Sequence, residues 1–133
     1  MENKIISAFK NNKLLLNIDT KKLNFTDIKG KLIALKEGQL IYKEGDVSDY
    51  LYLIVSGAVR VLESQDGEIK KSIILNKDDF FGHIDLYEST VRKTKAVALE
   101  DSYVIAVSKA ELNSLLWQDP NILVNLKIFL FTN

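Results

Sequence analysis

From Lys31 to Val107 the chain is a train of short runs rich in Ile, Leu, Val and Tyr, each closed by a turn signal. Lys31 to Lys36, Leu40 to Lys43, Tyr50 to Val55, Ala58 to Glu63, Ile69 to Leu75, Arg92 to Ala98 and Ser102 to Val107 are the candidate strands. Seven or eight strands in about eighty residues is a density typical of sandwiches and rolls. Gly38, Gly45, Gly57, Gly67 and Gly82 fall between or beside these runs, where a positive φ is most useful. Asp66-Gly67 between two runs is the strongest hairpin signal, with Gln65 to Glu68 as its tip. A mostly β, antiparallel architecture follows.

Helical patterns flank the strands. Residues 1–30 form an N-terminal helical segment, with Ile5, Ile6 and Phe9 on one face and Leu14 to Leu16 opening a second short piece. Residues 31–108 hold the strands and residues 109–133 a pair of C-terminal helices. Ser108-Lys109-Ala110-Glu111 is a capping box, in which hydroxyl and carboxylate satisfy opposing backbone N–H groups, and Leu112, Leu115 and Leu116 form the stripe behind it. Asp119 and Pro120 read as N-cap and first residue of a last helix, where proline's missing donor costs nothing.

In that last helix Ile122, Leu123, Leu126, Phe129 and Leu130 make one stripe, while Val124, Ile128 and Phe131 are apolar and off it. A helix apolar around most of its circumference is buried on more than one side. The expected second surface is another copy of the chain or a partner protein, through residues 119–131. Complete burial in the chain's own roll, or continuation in a longer protein, would explain the same pattern.

The chain has 133 residues, so one hydrophobic core suffices, burying roughly two thirds of the unfolded surface. With 47% hydrophobic and 27% charged residues it has the balance of a globular domain. Eighteen basic residues cancel eighteen acidic ones, so no global field draws it to nucleic acid or an anionic membrane. With no cysteine it can form neither disulfides nor thiolate sites. No apolar run reaches membrane-spanning length and no signal-peptide core opens the chain, so a cytoplasmic location is expected.

The chemistry concentrates in Asp79-Phe80-Phe81-Gly82-His83-Ile84-Asp85-Leu86, followed after a short stretch by Arg92-Lys93-Thr94-Lys95-Ala96-Val97-Ala98. A glycine ahead of a short apolar and polar segment lets the chain turn sharply and expose N–H groups at a helix start, an anion site. By the two-residue strand period, Arg92, Thr94, Ala96 and Ala98 share one face, which leaves room above the arginine. A phosphate held between the guanidinium and the amides near Gly82 would be recognised by charge and by directed hydrogen bonds. Alternatively, Arg92 pairs with a nearby carboxylate and caps the end of the roll.

Lys36 to Pro120 resembles the cyclic-nucleotide-binding domain family, which includes the catabolite activator protein, the regulatory subunits of cyclic-AMP-dependent protein kinase and nucleotide-gated channels. Three segments carry the resemblance. Glu37-Gly38-Gln39-Leu40-Ile41-Tyr42-Lys43-Glu44-Gly45-Asp46 is similar to the first family motif, and Tyr52-Leu53-Ile54-Val55-Ser56-Gly57-Ala58-Val59-Arg60-Val61 to the second. Phe81 to Leu86 with Arg92 resembles the phosphate-binding cassette.

The resemblance implies a double-stranded β-helix, a jelly-roll-like antiparallel β-roll with N-terminal and C-terminal helices. It implies a regulatory sensor for a phosphorylated nucleotide, cyclic AMP or cyclic GMP, signalling through a C-terminal helix that covers the base and mediates dimerisation. Gly82, Ile84 and Arg92 are then expected at the phosphate and His83 at the ribose, with Phe81, Asp85, Lys93 and Thr94 around them. At the position of His83 the family normally carries Glu; a neutral imidazole accepts one hydrogen bond but lacks the charged pair of oxygens. Where Asp85 stands the family usually has a small residue, and a carboxylate there repels a phosphodiester or pairs with Arg92. Lys93 and Thr94 stand where Thr, Ser or Ala and then Ala are common. The alternative implied by these departures is a ligand-free relative acting as a dimerisation or docking platform. The chain ends at Asn133 with no helix-turn-helix motif, so DNA reading is not expected.

His83, Asp85 and Glu88 could be drawn as metal ligands, but one histidine and no cysteine fall short of a zinc or iron site or a metal-dependent cupin enzyme. His83 also lacks a sequence-defined Ser or Cys nucleophile, so no enzymatic role and no cofactor are expected. The pairs Lys21-Lys22 and Lys70-Lys71 read as solvated faces, and Trp117 as core or interface packing.

Overall fold

The computed structural model describes residues 3–88 and 91–129. Its strands are β1 Lys31–Leu35, β2 Leu40–Tyr42, β3 Tyr50–Ser56, β4 Ala58–Gln65, β5 Glu68–Asn76, β6 Phe80–Phe81, β7 Lys95–Ala98 and β8 Ser102–Ser108. The helices are α1 Lys4–Asn11, α2 His83–Glu88, α3 Lys109–Gln118 and α4 Ile122–Ile128, with 3-10 turns at Lys13–Leu15 and Thr20–Lys22. The expected β-roll with helices before and after it is the architecture found. Among the described residues no helix is long and apolar enough to cross a membrane.

The pairing is nested: β1 with β8, β2 with β7, β3 with β6 and β4 with β5, all antiparallel. The tip of this nest is the turn Asp66-Gly67, both with positive φ, the backbone that a two-residue hairpin of native twist requires. Additional β3–β8 and β4–β7 pairing gathers the strands into two sheets, ordered β1-β8-β3-β6 and β2-β7-β4-β5.

The first sheet is covered on both faces. Tyr52, Ile54, Phe81, Val104 and Ala106 point into the roll, toward Tyr42, Val59, Val61, Ala96 and Ala98 of the second sheet. Their neighbours Leu51, Leu53, Phe80, Ile105 and Val107 point the other way, onto Phe9, Leu14, Leu112, Leu115, Ile122 and Leu126 of the helical layer. Strand alternation thus divides β3 and β8 between two cores, and each fully buried Leu or Ile contributes about 1.5–3 kcal/mol. The second sheet has one solvated face, where Ile69 and Ile74 of β5 are exposed.

The capping box forms: Ser108 Oγ accepts the Glu111 N–H at 3.1 Å, and Glu111 Oε1 accepts that of Ser108 at 3.0 Å. Glu111 also accepts from Lys29 and Gly30, so α3 is tied to the entry of β1. Burial alone would raise its pKa, but the N–H groups of Gly30, Ser108 and Lys29 overcome this and hold the carboxyl below its usual range.

Four expectations need correction. The strand drawn from Arg92 begins at Lys95, because Arg92 is tied to the Glu44-Gly45-Asp46 turn instead of a neighbouring strand. Phe80–Phe81 is a strand outside the seven candidate runs. Asp119 Oδ1 caps the Asn121 N–H at 3.0 Å, but regular helix starts only at Ile122. Trp117 is 88% exposed, so of its two expected roles the core one is excluded.

In α4 only one side is buried, through Ile122 and Leu126, while Leu123, Val124 and Ile128 are exposed. Complete burial in the chain's own roll is therefore excluded for the described residues; Leu130 and Phe131 lie outside them. Asn125 holds α4 down, its buried amide donating to the Leu14 and Leu16 carbonyls at 2.8 and 2.9 Å.

Candidate functional site

Phe81 pairs with Tyr52 and so brings the cassette to the edge of the first sheet. Gly82 follows with φ +85°, and α2 starts at once with His83. A Cβ at position 82 would stand 2.9 Å from Arg92 Nη1 and 3.3 Å from the Tyr50 carbonyl oxygen, so backbone angle and space both demand glycine.

Arg92 is 2% exposed. Its Nη1 donates to the Gly82 carbonyl at 2.7 Å and its Nη2 to the Tyr50 carbonyl. The guanidinium carbon lies 4.0 Å from the centroid of the Tyr42 ring and 5.8 Å from that of Tyr52, a cation–π arrangement. The backbone is pinned as well: Arg92 N–H donates to Asp46 at 2.7 Å and Gly45 N–H to Arg92 at 2.9 Å, so the first motif's turn anchors the cassette arginine. Nε is buried without a hydrogen-bond partner among the described residues.

The face shared by Arg92, Thr94, Ala96 and Ala98 does alternate as expected, with Lys93 exposed on the other side. The room above Arg92 is taken by Tyr42, however. That ring belongs to an aromatic stack in which Tyr52 and Phe81 lie 5.2 Å apart at 19° and Tyr42 and Tyr52 6.0 Å apart at 30°. Burial pushes the Tyr42 phenol up to about 12 against the opposing charge of Arg92, and raises Tyr52 too.

Beside this stack lies a cavity of about 390 Å³, within the range of small-molecule sites. Phe81, Gly82, His83, Ile84, Asp85, Lys93 and Thr94, all expected at the site, wall it. Arg92 does not; it lies behind Tyr42. The remaining walls come from Tyr42, from Val61, Glu63, Ile73 and Leu75 of the second sheet, from Lys13, Asp79 and Phe80, and from Ile128 and Phe129 at the end of α4. Most of these the sequence reading had not assigned. The inward parity of Tyr42 and Val61 in their strands was the available signal, whereas nothing local marks Lys13.

The expected Asp85–Arg92 pair is not formed. Asp85 is 5% exposed and its Oδ2 accepts the Lys93 N–H at 3.2 Å, while Arg92 is turned to the two carbonyls. Asp79 pairs instead with Lys13 at 2.5 Å.

His83 is 7% exposed, and neither ring nitrogen has a hydrogen-bond partner among the described residues. Burial drives its pKa down to about 4, with the nearby Phe129 backbone acting in the other direction, so the ring is neutral at pH 7. It packs on Phe80 at 4.7 Å between centroids, and Phe80 meets Phe129 edge-on at 5.6 Å. The cassette and α4 are thereby joined by three rings in tilted and edge-on contact.

A family profile described as cyclic nucleotide-binding domain matches residues 32–119. The cyclic AMP receptor protein of Thermus thermophilus is 30% identical over 95 residues, 71% of this chain and 44% of that protein. The lysophospholipase nte1 of Neurospora crassa is 24% identical over 95 residues, 71% of this chain but 6% of that protein. The chain thus spans less than half the length of either relative. The crystal structure of the Thermus thermophilus catabolite activator protein superposes with a TM-score of 0.76 at 24% identity, covering 88% of this chain and 55% of that one, a likeness of fold.

Proposed function

Because the chain belongs to the cyclic nucleotide-binding domain family, we propose that it is a regulatory sensor module: a small ligand enters the cavity beside the cassette and its presence is passed to α4. The carrying observation is that Ile128 and Phe129 of the α4 end wall the same cavity as cassette residues Phe81 to Asp85. Whatever fills that space touches the helix. No bond-making step is part of this role.

The ligands the family resemblance names are cyclic AMP and cyclic GMP. Their phosphate would meet Gly82, Ile84 and Arg92, with Lys93 and Thr94 beside it and His83 at the ribose. Arg92 would first have to leave the Gly82 and Tyr50 carbonyls and turn past Tyr42. Calorimetry with cyclic AMP, cyclic GMP and adenosine, followed by hydrogen exchange, tests the sensor role. It requires at least one of the three to bind and to slow exchange in α4. Binding that leaves α4 exchange unaltered refutes the coupling.

A second reading, a docking platform that needs no ligand, is favoured by the internal bonding of Arg92 and by the uncovered apolar side chains Leu123, Val124 and Ile128. A second copy or another protein would cover them. Sedimentation that finds only monomer at high concentration contradicts the self-paired form. For this reading, the double change His83→Glu and Asp85→Ala creates nucleotide binding that the native chain lacks.

A further inference from the structure

The cavity walls bring together Glu63, Asp79 and Asp85 with Lys13 and Lys93, so carboxylates outnumber ammonium groups. Lys13 is already paired with Asp79, and Glu63 lies 3.9 Å from Lys71, which leaves Asp85 as the wall carboxylate without a cationic partner among the described residues. Lys93 is exposed, and water screens its charge. The guanidinium of Arg92 is outside the wall and bonded to two main-chain carbonyls. Asp85 is the contrary case: it is shielded from bulk solvent, borders the cavity and receives one hydrogen bond from a described residue, the Lys93 N–H.

A phosphate entering this space would stand near a shielded carboxylate with no unengaged cation among the described wall residues except the solvated Lys93. Repulsion between like charges grows as water is removed. The other walls favour a different guest. Tyr42, Phe80, Phe81 and Phe129 offer ring surfaces to a flat molecule, and a carboxylate in such surroundings makes strong, charge-assisted hydrogen bonds to an N–H donor, with the added attraction of opposite charge when that donor is cationic.

We propose that the cavity binds a flat heteroaromatic or aromatic amine, neutral or cationic, that donates an N–H to Asp85, and that it discriminates against anions. This rests on the cavity being a ligand site and names the ligand class for it.

The test is calorimetric titration of the whole chain with three probes: benzamidine, adenosine and cyclic AMP. Benzamidine and adenosine bind at least about ten times more tightly than cyclic AMP, the size of effect one uncompensated charge readily gives. Asp85→Asn keeps the shape and an oxygen for the Lys93 N–H. It weakens benzamidine and strengthens cyclic AMP, narrowing their ratio by roughly ten-fold, and an unchanged thermal transition certifies its fold. Cyclic AMP binding as tightly as adenosine, or a ratio indifferent to Asp85→Asn, overturns the inference and leaves the sensor role standing. Failure of all three probes to bind overturns the inference, and failure of cyclic GMP as well overturns the sensor role.

Discussion

Two buried polar side chains border the same cassette and are treated in opposite ways. Arg92, on the inner side, has carbonyl acceptors on two segments, an aromatic face beneath it and a backbone pinned to the Glu44-Gly45-Asp46 turn. His83, under α4, has ring contacts and no hydrogen bond among the described residues. A charge held by two carbonyls fixes structure even with its Nε unpaired, whereas a buried imidazole with neither nitrogen bonded costs free energy. The inner side is bonded across segments, and the α4 side is packed by rings alone at His83.

The severest way to break the contrast is Arg92→Ala. It strands the Gly82 and Tyr50 carbonyls and removes the support of Tyr42, and we expect a loss of about 4 kcal/mol in urea unfolding, the sum of two charged hydrogen bonds and a cation–π contact. A loss under about 1 kcal/mol would show that the guanidinium frames nothing.

Acid probes the other side. The folded His83 titrates near 4, below its ordinary 6.5, so the unfolded chain binds the proton first as pH falls. Its contribution is complete above about 6.5 and is lost between there and about 4, up to about 3 kcal/mol. Unfolding free energies across this window show the slope in the native chain and its disappearance in His83→Phe.

Gly82→Ala forces a side chain into positive φ and against Nη1, an expected loss of about 2 kcal/mol by thermal unfolding. The smallest effect has the opposite sign. His83→Phe removes two orphaned nitrogens while keeping the ring against Phe80, and it stabilises the chain at pH 7 by about 1 kcal/mol. Destabilisation would mean that the imidazole has a partner the contrast denies.

What could be read in advance follows the same division. Alternation, turn glycines, the Asp66-Gly67 tip and the Ser108/Glu111 box are local patterns, and each acts in the fold as its neighbours in sequence predict. The partners of Arg92 could not be read, because main-chain carbonyls belong to every residue and carry no signature. Phe80–Phe81 was missed because two residues show no period; its pairing depends on Tyr52 and Leu53, far away in sequence. Likewise the stack of His83, Phe80 and Phe129 joins distant segments, and only the folded chain discloses it.

The nested pairing also makes a short-loop route of assembly available. The β4–β5 hairpin needs only its own two-residue tip to close, and once it stands, a single residue before Ala58 and three after Asn76 lead into β3 and β6, where Leu53 meets Phe80. Each outer rung inherits a short gap from the one inside it, so the entropy of joining Lys31 to Ala106 is met in small instalments. The roll can zip outward from Asp66-Gly67, and the arginine's clamp on Gly82 and Tyr50 is set only when the zipper has passed its middle.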